Sequence, residues 1–260
     1  MRIPVYQIDT FSDQLFQGNP AAVCPLQSWL DDAIMQSIAA ENNLSETAFF
    51  VPTEDGFGIR WFTPTHEVDL CGHATLASAY VIFHYLHPDL QRIIFQSRSG
   101  RLKATRSDQG IELDFPAQPP TPVDLPPLLK QAFHVSIQAS LRAQDYILVL
   151  AREQDVLSAQ PDLTCLRKVD GRGVIITAQG MKEDFVCRFF APKYGIDEDP
   201  VTGSAYTQLM PYWTERIGKI DLHARQLSSR GGLVHCRLLK DRVLISGQAR
   251  LFLQGSIHLY

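Results

Sequence analysis

The chain has 260 residues, a formal net charge of −4 and a pI near 6.0, with 45% hydrophobic and 20% charged residues. That composition is globular, leaves room for two domains of ordinary size and offers no basic excess for a nucleic-acid partner. The longest apolar run, residues 74–83, falls short of the roughly 20 residues that span a bilayer, so no membrane partner is expected. The amino terminus alternates like a strand and has no continuous apolar core of a signal peptide, which points to a cytoplasmic protein. Five cysteines, odd in number and never spaced as Cys-x-x-Cys, read as reduced thiols and not as a disulfide framework or structural zinc.

In chain order, the first half predicts a strand at residues 3–9, a loop over 11–20 and a strand at 21–24. A helix follows from about Trp29 to Glu41, capped by Ser28, with Leu30, Ala33, Ile34 and Ile38 at helical spacing. Strands are predicted at 47–51 and 57–62, then a helix from Gly72 that ends before Pro88, then strands at 92–96, 102–106 and 110–115. The second half predicts strands at 146–150, 174–178, 185–190, 232–239 and 243–248. The closing stretch 249–259 alternates like a strand and is assigned to the first lobe.

Two segments share a pattern. Arg60-Trp-Phe-Thr-Pro64 leads to Cys71-Gly-His-Ala74, and Arg188-Phe-Phe-Ala-Pro192 leads to Thr202-Gly-Ser-Ala205, an offset of about half the chain. In each, an aromatic strand ends at a proline, an acidic loop follows and a small-residue helix opens at glycine. The expected fold is therefore α/β (α+β), with two pseudo-symmetric lobes built of strands around a central helix. Residues 1–115, with 249–260, form the first lobe and 128–248 the second. Residues 116–127 carry six prolines and read as a stiff linker. A cleft between two lobes is a common place for a small-molecule site.

The helix after Gly72 is apolar on every side, so sheet should surround it. Its first N–H groups and positive dipole end attract a carboxylate or oxyanion, and glycine admits a close approach. Gly203 opens a second such mouth, beside Ser204. Taken singly, His73 is a capping or otherwise satisfied histidine and Ser204 an N-cap; duplicated, they suggest polar groups converging on a bound acid. Asp199, held extended by the following proline, is aimed toward the same mouth, whereas Asp197 and Glu198 read as a solvated loop. Pro211 requires the second helix to be short or kinked. Glu46 heads a strand that quickly turns hydrophobic: by itself it reads as the polar end of a strand, or as a shielded carboxylate suited to acid–base work near neutral pH.

These residues together resemble the PhzF-like phenazine-biosynthesis isomerases, in the fold group of diaminopimelate epimerase and proline racemase. The likeness runs through Asp9-Thr-Phe-Ser12, Phe16-Gln-Gly-Asn-Pro-Ala-Ala-Val23, Leu44-Ser-Glu-Thr-Ala-Phe49, Trp61-Phe-Thr-Pro64, Cys71-Gly-His-Ala-Thr75, Glu198-Asp-Pro-Val-Thr-Gly-Ser-Ala205, Arg230-Gly-Gly232 and Ser246-Gly-Gln-Ala249. Residues 116–178 add little to it. The resemblance implies curved, mostly antiparallel sheets wrapped around the two helices. It also implies an isomerase without cofactor or metal, in which Glu46 shuttles a proton within a small carboxylate-bearing substrate and His73, Asp199 and Ser204 assist. Asn19, Cys71, Gly72, Thr202 and Gly203 would line the substrate, and a homodimer is plausible. Racemases of this fold place a cysteine at each helix mouth; here Cys71 has Thr202 as its counterpart, a hydroxyl too weakly acidic to replace a thiol. A one-thiol epimerase using Cys71 and a non-catalytic small-acid-binding protein are the alternatives. Metal chemistry is disfavoured, because Cys71-x-His73 and His84-x-x-His87 lack a carboxylate–histidine set with zinc spacing.

Overall fold

The computed structural model describes residues 1–259, which divide into two compact units: Met1–Asp114 with the segment from Ser246 onward, and Phe115–Ile245. Tyr260, assigned above to the first lobe, lies outside the described residues.

In the first unit, β1 (Arg2–Thr10) pairs antiparallel with β2 (Asn19–Pro25) on one side and with the closing strand Ala249–His258 on the other. The alternation of residues 249–259 is thus that of a strand bound to β1. Next come α1 (Asp32–Asn42), β3 (Glu46–Thr53) parallel to β2, and β4 (Gly56–Phe62) antiparallel to β3. The short β5 (Glu67–Val68) turns back on β4 and leads into α2 (Gly72–Val81). β6 (Arg92–Ser97) runs parallel to β4, and β7 (Gly100–Ser107) and β8 (Gly110–Pro116) follow antiparallel.

α1 starts three residues later than expected, at Asp32, and Ser28 does not cap it. The Trp29 ring lies against the Arg60 guanidinium, 5.6 Å from its centroid, and this packing keeps residues 28–30 outside the helix. α2 meets its expectation. Every residue from His73 to Ala79 is buried, and the helix packs on β1, β2, β3 and β7. Beyond Val81 it widens into a π turn, Ile82–Leu86, in which His87 N–H reaches Ile82 O.

The loop before Asn19 depends on one glycine. Gly18 has φ +69°, and a Cβ there would sit 2.0 Å from Thr10 O. Gly18→Ala is expected to destabilise the protein by more than the about 1–2 kcal/mol that a left-handed φ costs alone. A urea denaturation curve measures it.

The second unit contains β9 (Thr121–Pro122), α3 (Pro127–Ala132), β10 (Ile137–Arg142), β11 (Tyr146–Leu150), α4 (Glu153–Ser158), α5 (Leu163–Leu166), β12 (Val174–Gln179), β13 (Phe185–Ala191) and β14 (Ile196–Asp199). α6 (Gly203–Ile217), β15 (Asp221–Gln226), β16 (Gly232–Leu239) and β17 (Arg242–Gly247) complete it. The order of pairings repeats that of the first unit. β10 and β11 are antiparallel, β12 is parallel to β11, β13 returns antiparallel, β14 folds back on β13, and after α6 comes β15, parallel to β13 and antiparallel to β16. Each unit is a mostly antiparallel sheet with a buried helix, the mixed α/β class expected.

The repeat extends to side chains. Arg60 grips Glu67 through Nε and Nη2, both at 2.7 Å, and Arg188 grips Glu198 through the same atoms at 2.7 and 3.0 Å. Each guanidinium also lies over the aromatic ring two residues along, Phe62 at 5.1 Å and Phe190 at 5.0 Å. Glu198 is therefore no solvated loop residue: it sits on β14 and anchors the approach to α6. Asp197 makes an exposed pair with Arg167.

The Pro-rich segment 116–127 is also more than a linker. Val123 and Leu125 pack on the core around Leu148, Ile176 and Phe190, and Pro127 opens α3. Ala117 N–H donates to Asp241 O and Gln118 N–H to Thr207 O. The latter bond explains why Pro211 does not shorten α6, which runs 15 residues. Pro211 has no N–H for the carbonyl four residues back, and Gln118 supplies the missing donor.

Candidate active site

Glu46 is the first residue of β3, in register with Ala21 of β2. Asn19, fully buried and two residues before Ala21, shares that sheet face. α2 brings Cys71 and His73 to the same place. His73 Nε2 lies 3.3 Å from Glu46 Oε2, and His73 Nδ1 lies 3.5 Å from Cys71 Sγ. The Nε2 contact lacks hydrogen-bond alignment, a looseness common in acid–base sites without substrate. The Glu46 side chain is 12% exposed, and Cys71 and His73 are buried.

Burial pulls the His73 imidazole down to about 3, so it is neutral near pH 7. A neutral ring can orient the Glu46 carboxylate without setting a cation beside it. Because an unfolded histidine binds its proton near pH 6.5 and the folded one does not, His73 supports the fold fully above that pH. Its contribution falls by about 1.4 kcal/mol per pH unit on acidification towards about pH 3. Denaturation midpoints from pH 7 down to about pH 4 are expected to fall less steeply in His73→Gln than in the natural chain, by one proton's worth of slope.

In the second unit, Asp199 and Thr202 are brought together. Thr202 Oγ1 donates to Asp199 Oδ2, Thr202 N–H donates to Gln226 Oε1 at 2.9 Å, and Gln226 Nε2 donates to Asp199 O at 2.7 Å. Thr202, not Ser204, is the N-cap residue of α6, yet its side chain caps nothing; nor does that of Cys71 at α2. Neither N-cap side chain therefore takes up the first N–H groups of its helix.

Ser204 occupies the first turn of α6, where its Oγ accepts a hydrogen bond from Arg172 Nη2 at 2.9 Å. Arg172 in turn grips Asp145 with Nε (2.9 Å) and Nη2, and Asp145 also accepts from Gln208 Nε2 at 2.7 Å. The Asp145 side chain is wholly buried; that of Arg172 is 32% exposed. Sequence reasoning missed Arg172, Asp145 and Gln208. The one signal was an arginine isolated between glycines in Gly171-Arg-Gly173.

Residues 8–255 match the family described as phenazine biosynthesis-like protein. The chain belongs to that family. An uncharacterized isomerase of Pseudomonas aeruginosa is 46% identical to it across the whole of both chains. A solved PhzF-family protein of Enterococcus faecalis is 45% identical, with a TM-score of 0.97 over the full length of both. A hydroxyproline epimerase from Agrobacterium vitis, 9% identical with a TM-score of 0.63 over 98% of this chain and 92% of its own, shares the fold alone. This member of the phenazine biosynthesis-like family is an isomerase.

Two groups of potential metal ligands converge to within 4.8 Å among the described residues: Glu46, Cys71 and His73, and Asp221, His223 and His235. The other thiols pack. Burial pushes Cys24 and Cys187 up to about 12 and raises Cys236, and Cys165 donates to Asp162. Among the described residues no helix is long and apolar enough to cross a membrane.

Proposed function

We propose that this isomerase moves a proton within a small carboxylate-bearing substrate without a cofactor, and that Glu46 is the acid–base shuttle. The observation that carries the reading is the meeting of Glu46 with neutral, buried His73 at the mouth of α2. Glu46 takes the proton from a substrate carbon, the C–H electron pair enters the conjugated system, and the same carboxyl group returns the proton at another carbon. The negative charge that develops on a substrate oxygen rests on the first-turn N–H groups at Gly72 and His73. Asn19 lines the substrate on the Glu46 side.

Asp199 and Ser204 are proposed as further catalytic residues, with Gly203 and Thr202 supplying backbone at the mouth of α6. Ser204 already accepts from Arg172, so its own O–H is left to donate to a substrate oxygen.

The 3.5 Å approach of Cys71 Sγ to His73 favours a second reading, a one-thiol epimerase. Incubation in D₂O with a dihydro-hydroxyanthranilate-type substrate and a panel of small amino and hydroxy acids, followed by NMR, tests the proposal. Deuterium appearing at a carbon of an isomerised product supports it; binding without uptake from any compound counts against it. Uptake that survives Cys71→Ser excludes the epimerase reading.

A further inference from the structure

We propose that Asp221, His223 and His235 form a binding site for a borderline divalent metal ion such as Zn²⁺, on the exposed face of the β15–β16 hairpin and separate from the residues around Glu46. The hairpin register places His223 directly opposite His235 and Asp221 opposite Arg237. His223 turns both backbone groups away from β16: its N–H donates to Asp184 Oδ2 and its carbonyl accepts from Asp184 N–H, each at 2.8 Å. His223 and His235 are therefore a non-hydrogen-bonded cross-strand pair, the kind in which facing side chains come closest. Their ring centroids are 4.7 Å apart. Asp221, two residues before His223, projects from the same face, and its Oδ1 lies 2.6 Å from His235 Nε2.

One ligand atom from each of the three side chains lies within 4.8 Å of the others. Around a tetrahedral ion with bonds of about 2.0–2.1 Å, ligand atoms stand about 3.3 Å apart, so small side-chain rotations close the set. Two imidazoles and one carboxylate select Zn²⁺, Co²⁺, Ni²⁺ or Cu²⁺ over Mg²⁺ or Ca²⁺. A fourth position stays open to water, because His223 is exposed.

Arg237 Nε donates to Asp221 Oδ2 at 2.8 Å, which leaves Oδ1 for the metal and orients the carboxylate. Arg237 also sets a positive charge beside the ion, so the site is of moderate affinity. The other charges nearby are spent elsewhere, Arg225 on Glu183 and Asp184 on His223 N–H and Lys219.

The test is titration of the chelator-stripped full chain with Co²⁺ by visible absorption and with Zn²⁺ by calorimetry. One equivalent is expected, with no thiolate-to-cobalt charge-transfer band. His223→Ala and His235→Ala are each expected to weaken Zn²⁺ at least about tenfold. His223→Ala alters an exposed side chain, so it keeps the fold and provides the decisive comparison. Absence of binding, affinity indifferent to both histidine variants, or a thiolate band that disappears in Cys71→Ser overturns the proposal, the last by placing the ion at Cys71.

Discussion

Arg172→Met is expected to cost about 3–5 kcal/mol of stability, because it strands a buried carboxylate. Asp145 is 1% exposed, and its two oxygens are committed to Arg172 and Gln208. Removing the cation leaves Gln208 as the remaining side-chain donor to a charge that water cannot reach, in a setting where the reverse loss would be milder: Arg172 is partly exposed and can be hydrated. Adding Asp145→Asn to Arg172→Met removes the stranded charge while leaving an oxygen for Gln208, so the double variant should recover much of the loss. Chemical denaturation of the single and double variants measures the coupling. A loss below about 1 kcal/mol in Arg172→Met would show that the pair does not hold the Ser204 turn.

The second large effect is on turnover. Glu46→Gln keeps the size of the side chain and its polar contact to His73 but cannot accept a proton. Positioned acid–base groups contribute about 10²–10⁴-fold, so turnover should fall by at least that range while the denaturation midpoint stays close to that of the natural chain. A matching collapse of stability would instead make Glu46 a structural residue. His73→Gln should lower turnover less, since a neutral ring that orients Glu46 is replaced by an amide that can still make a polar contact.

Much of this site was legible because its signals are local. The Gly-His pair before an almost wholly apolar run marked both the start of α2 and its burial, and the repeated Arg-aromatic-Phe-x-Pro pattern marked the duplicated topology. What escaped depends on contacts between distant segments. Pro211 looked like a helix breaker because nothing near it shows that Gln118, far upstream, supplies the donor its carbonyl partner needs. Glu198 read as solvated for a different reason: its partner Arg188 is near in sequence, but only the pairing of β13 with β14 turns the two toward each other. α1 was started early because Ser28 is a good cap by composition, whereas Trp29 packs on Arg60.

The support of Ser204 was the least legible part. Asp145 and Arg172 fall in the stretch that adds little to the family resemblance, and no periodicity links them to α6. The histidine–aspartate set on β15 and β16 was equally hidden, since cross-strand register, not spacing along one element, brings His223 to His235.

The most direct test of the central claim is the rate at which solvent deuterium enters substrate carbon in the natural chain, Cys71→Ser and Glu46→Gln, measured side by side by NMR on one turned-over compound. The account predicts uptake in the first two and none above background in Glu46→Gln. Undiminished uptake in Glu46→Gln would contradict it.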